Sequence, residues 1–157
     1  RNNQKRGLMA MRWTFRCFDA LRPAEIHAML KLRIAVFVVE QLCPYQEVDD
    51  LDLIATHLLG TSEENDLVAY ARIIPAMPGG QPHIGRVLVH AHHRGSGTGH
   101  ELMRQVLNHL TKEYGDQNSA LAAQAHLRTF YEHHGYRRVG PVYDLDGIPH
   151  VDMEHTN

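Results

Sequence analysis

The clearest chemical signal in this sequence is a glycine-rich run, Arg94-Gly95-Ser96-Gly97-Thr98-Gly99, shortly after the apolar stretch Val87-Leu88-Val89. Glycines let a backbone approach a ligand closely. Free N–H groups at the start of a following helix, together with the positive end of its dipole, attract an anion. An arginine adds a charge-assisted contact to a phosphate. The run therefore predicts a phosphate-binding loop between a strand and a helix.

Two familiar phosphate-binding loops do not fit this spacing. A Walker loop ends in Gly-Lys-Ser or Gly-Lys-Thr, whereas Gly99 is followed by His100 and Glu101. A dinucleotide-binding loop would have its third glycine at position 100. A tight strand-to-helix turn without a ligand is the structural alternative.

The pattern Arg94-x-x-Gly97-x-Gly99 resembles the coenzyme A loop of the GNAT superfamily of N-acetyltransferases. The segment from Gln124 to Tyr136 is similar to that superfamily's short helix, which carries a tyrosine and ends at a glycine followed by an aromatic residue. A narrower resemblance is to the ElaA protein family. Its blocks are Leu32-Arg33, Val36-Phe37-Val38-Val39-Glu40-Gln41, Cys43-Pro44-Tyr45-Gln46, Val68-Ala69-Tyr70-Ala71-Arg72, Ile84-Gly85-Arg86-Val87, Ala123-Gln124-Ala125-His126-Leu127 and Gly147-Ile148-Pro149-His150.

The resemblance implies transfer of an acetyl group from acetyl-coenzyme A to an amine of a small molecule or peptide, without a metal. It implies that the loop holds the pyrophosphate and that a splayed or bulged strand at residues 87–89 binds the pantetheine arm. Gln124 stands where many members have asparagine, and Ala91 where many have proline. The implied cofactor-binding residues are Val87, Leu88, Val89, Arg94, Gly95, Ser96, Gly97, Thr98, Gly99 and Gln124.

Tyr131 matches the tyrosine that protonates the departing thiolate as a general acid. A helix-face aromatic packed on the sheet is the alternative. A protonated amine also needs a group that takes its proton. The candidates are Glu40, Asp49, Asp52, His57, His126 and His150, with Glu40 and His126 ranked first. The acidic loop over residues 47–52 is alternatively a surface that attracts a cationic acceptor.

Two other functions compete with this one. A module that binds coenzyme A without catalysis would keep the same loop. The block Leu32-Arg33 with Val36-Phe37 also resembles acyl-homoserine-lactone synthases. Because those synthases use an acyl carrier, we expect the coenzyme A loop to argue against this function. The 13 histidines raise a metal hypothesis, but adjacent histidines seldom reach one ion and no His-Glu-x-x-His or Cys-x-x-Cys pattern occurs.

The elements that position these residues follow from hydrophobic periodicity and turn residues. The predicted order is β-α-β-β-β-α-β-α-β-β, a single-domain α/β fold with a mixed, mostly antiparallel sheet and helices on both faces. A first helix runs from Pro23 to about Val38, and Leu102, Met103, Val106, Leu107 and Leu110 form one apolar helical stripe. Closing strands are predicted over residues 136–143 and 148–153.

Composition narrows the class of protein. The chain has 157 residues, 16 Lys+Arg and 18 Asp+Glu, so its net charge of −2 gives no basic field for nucleic acid. No run approaches the roughly 20 apolar residues of a membrane span. Two cysteines, Cys17 and Cys43, are not a disulfide framework. We expect a polar tail over residues 1–10, one cytoplasmic domain over residues 11–157, and the homodimer that is common among such proteins.

Overall fold

A computed structural model describes residues 11–156, and the predicted tail over residues 1–10 lies outside the described residues. Eight strands form one sheet in the order β1-β2-β3-β4-β5-β8-β6, and β7 also pairs with β8. The strands are β1 (Arg12–Cys17), β2 (Thr56–Thr61), β3 (Leu67–Ile74), β4 (His83–Val89), β5 (Ser119–Gln124), β6 (Tyr136–Arg138), β7 (Tyr143–Leu145) and β8 (Ile148–His155). The α-helices are α1 (Pro23–Ile34), α2 (Thr98–Tyr114) and α3 (Arg128–Glu132).

The sheet is mixed because β4 and β5 run parallel, whereas the other described pairs are antiparallel. β4 and β5 pair at two positions, His83 with Ala120 and Ile84 with Leu121. Beyond these positions the two strands no longer pair, which leaves an opening in the middle of the sheet. The predicted mixed sheet with a splayed strand pair is confirmed.

A bulge in β4 lies beside this opening. Tyr70 pairs with Leu88 and Arg72 with Gly85, so Arg86 and Val87 both lie opposite a single residue of β3. Arg86 has a φ of 52°, in the left-handed region that side chains rarely adopt. The bulge begins upstream of the predicted 87–89, because Leu88 and Val89 keep a regular ladder with β3. Bulges re-aim neighbouring backbone and side chains.

Helices cover both faces of the sheet, as predicted. The α2 stripe of Leu102, Met103, Val106, Leu107 and Leu110 is buried in one core, which also contains Tyr131 and Tyr136. On the other face Met29 and Leu32 of α1 pack into a second core with Tyr70. Each fully buried aliphatic side chain of this kind stabilises the fold by about 1.5–3 kcal/mol.

Two predicted elements differ from the structure. The first helix keeps α-helical turns only to Ile34 and continues as wider π-helical turns over Ala35–Glu40. The predicted closing strand over residues 136–143 is wrong as one element: β6 ends at Arg138 and β7 starts at Tyr143. Gly140 and Pro141 lie between them, and proline has no N–H to donate to a ladder.

The two cysteines do not form a disulfide with each other. Cys17 is exposed, Cys43 is buried, and both are free thiols. Within residues 11–156, none of the helices has the length and apolar character needed to cross a bilayer.

Candidate active site

The glycine-rich run forms a tight loop that leads into α2. Gly95 and Gly97 have φ values of 79° and 87°, which L side chains rarely adopt, and Gly97 is the residue just before the helix. The first helical hydrogen bond goes from Glu101 N to Gly97 O at 3.1 Å. The amides of the first turn therefore have no helical carbonyl to bind, and they sit at the positive end of a 17-residue helix. This geometry suits an anion such as a pyrophosphate.

Arg94 connects the loop to two other segments. Its Nε donates to the carbonyl oxygen of Val89 at 2.9 Å, and its Nη2 donates to Oε2 of Glu40 at 2.8 Å. Glu40 therefore lies beside the glycine-rich loop, where its carboxylate accepts a hydrogen bond from the Arg94 guanidinium. The structure places this predicted proton acceptor beside the glycine-rich loop and not among the residues that line the cleft between β4 and β5.

A cleft of about 290 Å³ opens where β4 and β5 separate. Its walls come from both strands, from the segment after α1, from α3 and from the β7–β8 turn. Among the sequence-predicted site residues, the described part of the chain brings Val87, Gln124, Tyr131 and His150 to this cleft. Gln124 Nε2 donates to Gln41 Oε1 at 3.2 Å, which ties the end of β5 to the segment after α1.

Tyr131 is part of the hydrophobic core, and only 6% of its surface is exposed. It also forms part of the cleft wall. Its ring packs edge-on against Phe130 and Tyr136, with centroid separations of 5.0 and 6.2 Å. Burial raises the pKa of the Tyr131 phenol, and the nearby Tyr136 adds to the rise. The phenol therefore stays protonated at neutral pH, which is the state that a general acid needs.

His126 and His150 occupy different places. His126 is exposed in a short 3₁₀ turn, Ala125–Leu127, and does not line the cleft. His150 is half-buried, lines the cleft and pairs across the β5–β8 ladder with Gln124. Its Nδ1 lies 2.7 Å from the carbonyl oxygen of Ile148. Of these two histidines, the structure brings His150 next to Tyr131's cleft.

Carboxylates of the acidic loop form ion pairs with arginines, most of which are buried. We define the arginine–carboxylate cluster as Arg33, Glu47, Asp49, Asp52, Arg72 and Arg86. Its shortest contacts are Arg72 Nη1 to Asp49 Oδ1 at 2.6 Å, Arg33 Nε to Glu47 Oε1 at 2.7 Å and Arg33 Nη1 to Asp52 Oδ1 at 2.8 Å. Three arginines pair with three of the loop's carboxylates, while Asp50 of the same loop is exposed.

The candidate bases Asp49 and Asp52 belong to this cluster. The hydrogen bond from Arg72 holds the pKa of the Asp49 carboxyl below its usual range. Burial alone would raise the pKa of Asp52, but hydrogen bonds and charge from Arg33 and Arg72 lower it overall. Both groups are ionised and engaged, so they stabilise the fold.

His57, a further candidate base, is fully buried. Its Nε2 lies 2.8 Å from the carbonyl oxygen of Asp52, to which it donates, and its Nδ1 lies 2.6 Å from the Tyr70 hydroxyl, from which it accepts. Burial lowers the pKa of the imidazole. Both ring nitrogens are occupied, so His57 supports the cluster and takes no part at the cleft.

Sequence reasoning did not assign a role to Arg33, Arg72 or Arg86, which appeared only as members of family blocks. A usable signal existed: Arg33 interrupts an apolar helical stretch and Arg72 an apolar strand, and buried arginine needs a carboxylate partner. The acidic loop supplies those partners. Within residues 11–156 no group of three or more His, Cys, Asp or Glu side chains is arranged to hold a metal.

The chain matches the family model described as "Acetyltransferase (GNAT) domain" over residues 25–157. It belongs to the GNAT acetyltransferase family. Protein ElaA of Escherichia coli (strain K12) is 45% identical over 136 residues, covering 85% of this chain and 88% of ElaA, so the ElaA resemblance is also confirmed.

Solved structures agree with this membership of the GNAT family. An acyl-CoA N-acyltransferase from Pseudomonas aeruginosa superposes with a TM-score of 0.88 at 41% identity, covering 94% of this chain and all of that one (100%). The crystal structure of E. coli ElaA gives a TM-score of 0.86 at 40% identity, covering 93% and 99%. The GNAT family supports acyl transfer from an acyl-coenzyme A as the general activity.

The acyl-homoserine lactone synthase BjaI shares the fold, with a TM-score of 0.73 at 16% identity over 92% of this chain and 82% of that one. That synthase is described as coenzyme A-dependent. The expectation that a coenzyme A loop argues against a synthase is therefore corrected, because at least one synthase of this fold uses a coenzyme A thioester.

Proposed function

We propose that this protein transfers an acetyl group from acetyl-coenzyme A to an amine of a small molecule or peptide. The observation that carries the proposal is that a single opening in the sheet connects these features. It runs beside the bulge in β4 and reaches the cleft lined by Tyr131. The loop that suits a pyrophosphate follows β4 after one short 3₁₀ turn, Ala91–His93. A substrate with a phosphate end and a reactive end matches this layout.

The residues present fit acetyl-coenzyme A as a substrate. The first-turn amides of α2, the loop over residues 95–99 and Arg94 would hold its pyrophosphate. The unpaired edge of β4 after Ile84 offers backbone hydrogen-bond groups to the pantetheine arm, since β5 does not pair there. Gln124 is at the cleft wall and would contact the same arm. Most of the catalytic effect in such a site comes from positioning the two reactants.

Tyr131 supplies the proton that the leaving thiolate needs. As the amine nitrogen bonds to the thioester carbonyl carbon, the carbon–sulfur bond breaks and its electron pair stays on sulfur. The Tyr131 hydroxyl gives its proton to that sulfur and is reprotonated by the proton lost from the new amide nitrogen. The raised pKa of the phenol keeps this proton available at neutral pH.

The first test asks whether acetyl-coenzyme A binds. Ligand at about 100 times its Kd stabilises the folded state by about 2.7 kcal/mol. For a chain of this size that is a rise in Tm of roughly 5–10 °C. We expect the rise with acetyl-coenzyme A in a thermal-shift measurement. No rise at saturating ligand contradicts the proposal.

The second test asks whether the protein turns over. Thiol release is measured with acetyl-coenzyme A and four amines: spermidine, L-lysine, kanamycin and a short lysine-containing peptide. We expect Tyr131→Phe to lower kcat by about 10²–10⁴-fold while keeping the Tm rise, because a general acid contributes that much. Binding without thiol release in wild type favours the non-catalytic module. Normal turnover by the variant removes Tyr131 from the mechanism but leaves the enzyme class standing.

The synthase-like alternative is tested in the same assay. Longer acyl-coenzyme A thioesters replace acetyl-coenzyme A, with the same four amines. Faster release from a longer chain than from acetyl favours the broader acyl transfer that the shared fold allows.

A further inference from the structure

The cleft contains few groups that can take a proton from an amine. Arginine is always protonated, and burial raises the pKa values of the half-buried Tyr45 and the buried Tyr131. The Cys43 thiol already donates to the carbonyl oxygen of Asp146 at 3.3 Å. The titratable groups that line the cleft are Cys43, Tyr45, Arg72, His83, Arg86, Tyr131, Asp146 and His150.

Asp146 is exposed in the turn between β7 and β8, which leaves two histidines, at opposite ends of the opening. His83 lies where β4 and β5 still pair, at the closed end. His150 lies beside Gln124, at the last residue of β5, where the two strands have separated. The bulge at Arg86 and the cleft wall at Val87 belong to the separated part. His150 is thus the imidazole on the side where an acceptor can meet the thioester.

The ring orientation of His150 is fixed by its neighbours. A carbonyl oxygen only accepts, so the 2.7 Å contact with Ile148 requires the proton of neutral His150 to be on Nδ1. The lone pair is then on Nε2. The Tyr143 ring stacks on the imidazole, with centroids 6.2 Å apart, and the Tyr143 hydroxyl donates to Asp152 Oδ1 at 2.6 Å. An oriented imidazole with one nitrogen bound and one free has the arrangement of a general base.

We propose that His150 accepts the proton of the acceptor amine, an inference that rests on the acetyl transfer proposed above. Nε2 of His150 takes one proton from the ammonium and later releases it to water. The freed nitrogen lone pair forms the carbon–nitrogen bond. Of the ammonium's three protons, one leaves through His150, one is returned to Tyr131 in place of the proton given to sulfur, and one stays on the amide.

His150→Asn is the sharpest variant, because the asparagine amide can still donate to the Ile148 carbonyl but has no basic nitrogen. His27→Asn is the matched control, since His27 is exposed on α1 and does not line the cleft. The readout is kcat/KM for the four amines named above. It is measured from about pH 6 to about pH 10, which spans the ordinary pKa values of imidazole and of a primary amine.

We expect His150→Asn to lower kcat/KM by about 10²–10³-fold near pH 7, the contribution of a general base. The loss shrinks at about pH 10, where much of the amine is already unprotonated. The KM for acetyl-coenzyme A and the Tm stay at wild-type values. His27→Asn behaves as wild type throughout.

Each other outcome is decisive. Wild-type rates in His150→Asn, with an active wild type, overturn the role of His150 and leave the proposed function intact. A loss of rate that is equal at all pH values, or that comes with a lowered Tm, identifies a structural role and also overturns it. No thiol release by wild type with any of the four amines overturns the proposed function and this role together.

Discussion

Two groups of ionisable side chains lie on opposite faces of the sheet. They differ in whether a counter-charge accompanies the groups that are removed from water. The arginine–carboxylate cluster lies on the α1 face, where the Arg33 guanidinium also packs over the Tyr70 ring at 5.4 Å. The histidine cluster, which we define as His100, His133 and His134, lies at the start of α2 on the other face, against Phe130. Both clusters take titratable groups partly or wholly out of water.

The arginine–carboxylate cluster keeps its charges and pairs them. Arg33 is completely buried, and its guanidinium nitrogens contact Glu47, Asp52 and the Tyr70 hydroxyl. Burial disfavours the charged guanidinium, but the Asp52 and Glu47 carboxylates raise the pKa of Arg33 overall. Every member gains from the opposite charge beside it, so removing one member leaves another buried and unpaired.

The histidine cluster has no carboxylate within it, and burial lowers the pKa values of His100 and His134. Nδ1 of His100 and Nε2 of His134 are 2.8 Å apart, so one ring donates and the other accepts. Burial, with repulsion from His100 and His133, lowers the pKa of His134 to about 4. Burial therefore has opposite consequences for charge, depending on whether a counter-charge is within reach.

The largest effect should come from breaking the paired cluster. Arg33→Met removes the central cation and leaves Glu47 and Asp52 short of a partner. We expect a loss of about 3–5 kcal/mol in the free energy of unfolding, measured by urea denaturation. Arg128→Met is the control: Arg128 pairs with Glu132 at 2.8 Å, but both side chains are about half exposed (48% and 44%).

The control should change stability by about 1 kcal/mol or less, because exposed ion pairs contribute little. Equal effects of the two arginine variants would show that burial of the cluster does not set its strength.

We expect the histidine cluster to lower the free energy of unfolding as the solution becomes acidic. The pKa of His134 is lower when folded than the ordinary 6.5, so between about pH 6.5 and pH 4 the unfolded chain binds more protons. Stability is therefore full above that window and falls as the pH falls through it. The shift corresponds to roughly 3 kcal/mol by pH 4. His134→Gln, which cannot titrate, should flatten this slope in urea denaturation at a series of pH values.

His126→Gln, at an exposed position, is the matched control and should keep the wild-type slope. If stability depends on pH in His134→Gln as it does in the wild type, the lowered pKa of His134 is not the cause of the acid sensitivity. Below about pH 4 the protonation of Asp49 and Asp52 adds a loss common to all variants, because their folded pKa values are also lowered.

The smallest effect concerns the ion pair between Arg94 and Glu40, with side chains 44% and 39% exposed. Unlike either cluster it is in water, so Glu40→Gln should alter stability by less than about 1 kcal/mol. We expect the same change to tighten acetyl-coenzyme A binding by roughly 3–10-fold, because the carboxylate no longer competes for Arg94. Calorimetry measures the Kd directly.

Glu132→Gln, which removes the exposed carboxylate paired with Arg128, should leave that Kd unchanged. Unchanged or weaker binding in Glu40→Gln would mean that Glu40 orients Arg94 instead of competing for it.

Elements defined by neighbouring residues were predictable. The α2 stripe is visible in the 3.6-residue period and is buried as expected. Gly135 was predicted to end the short helix; its φ is 92°, and a Cβ there would stand 2.7 Å from the His155 ring. The break between β6 and β7 was missed, although Gly140 and Pro141 mark it, because the flanking apolar residues resemble one continuous strand.

The sequence by itself determined most of the order of strands and helices, the glycine-rich loop before a helix at residues 94–99, and membership of the GNAT family, because each depends on local sequence patterns. Only the tertiary structure decided which polar groups face the cleft. Glu40 joins Arg94, Asp49 and Asp52 join buried arginines, and His150 reaches the cleft through the β5–β8 ladder. Those partners are far apart in sequence, and the free energy that selects them comes from burial and pairing that no local pattern records.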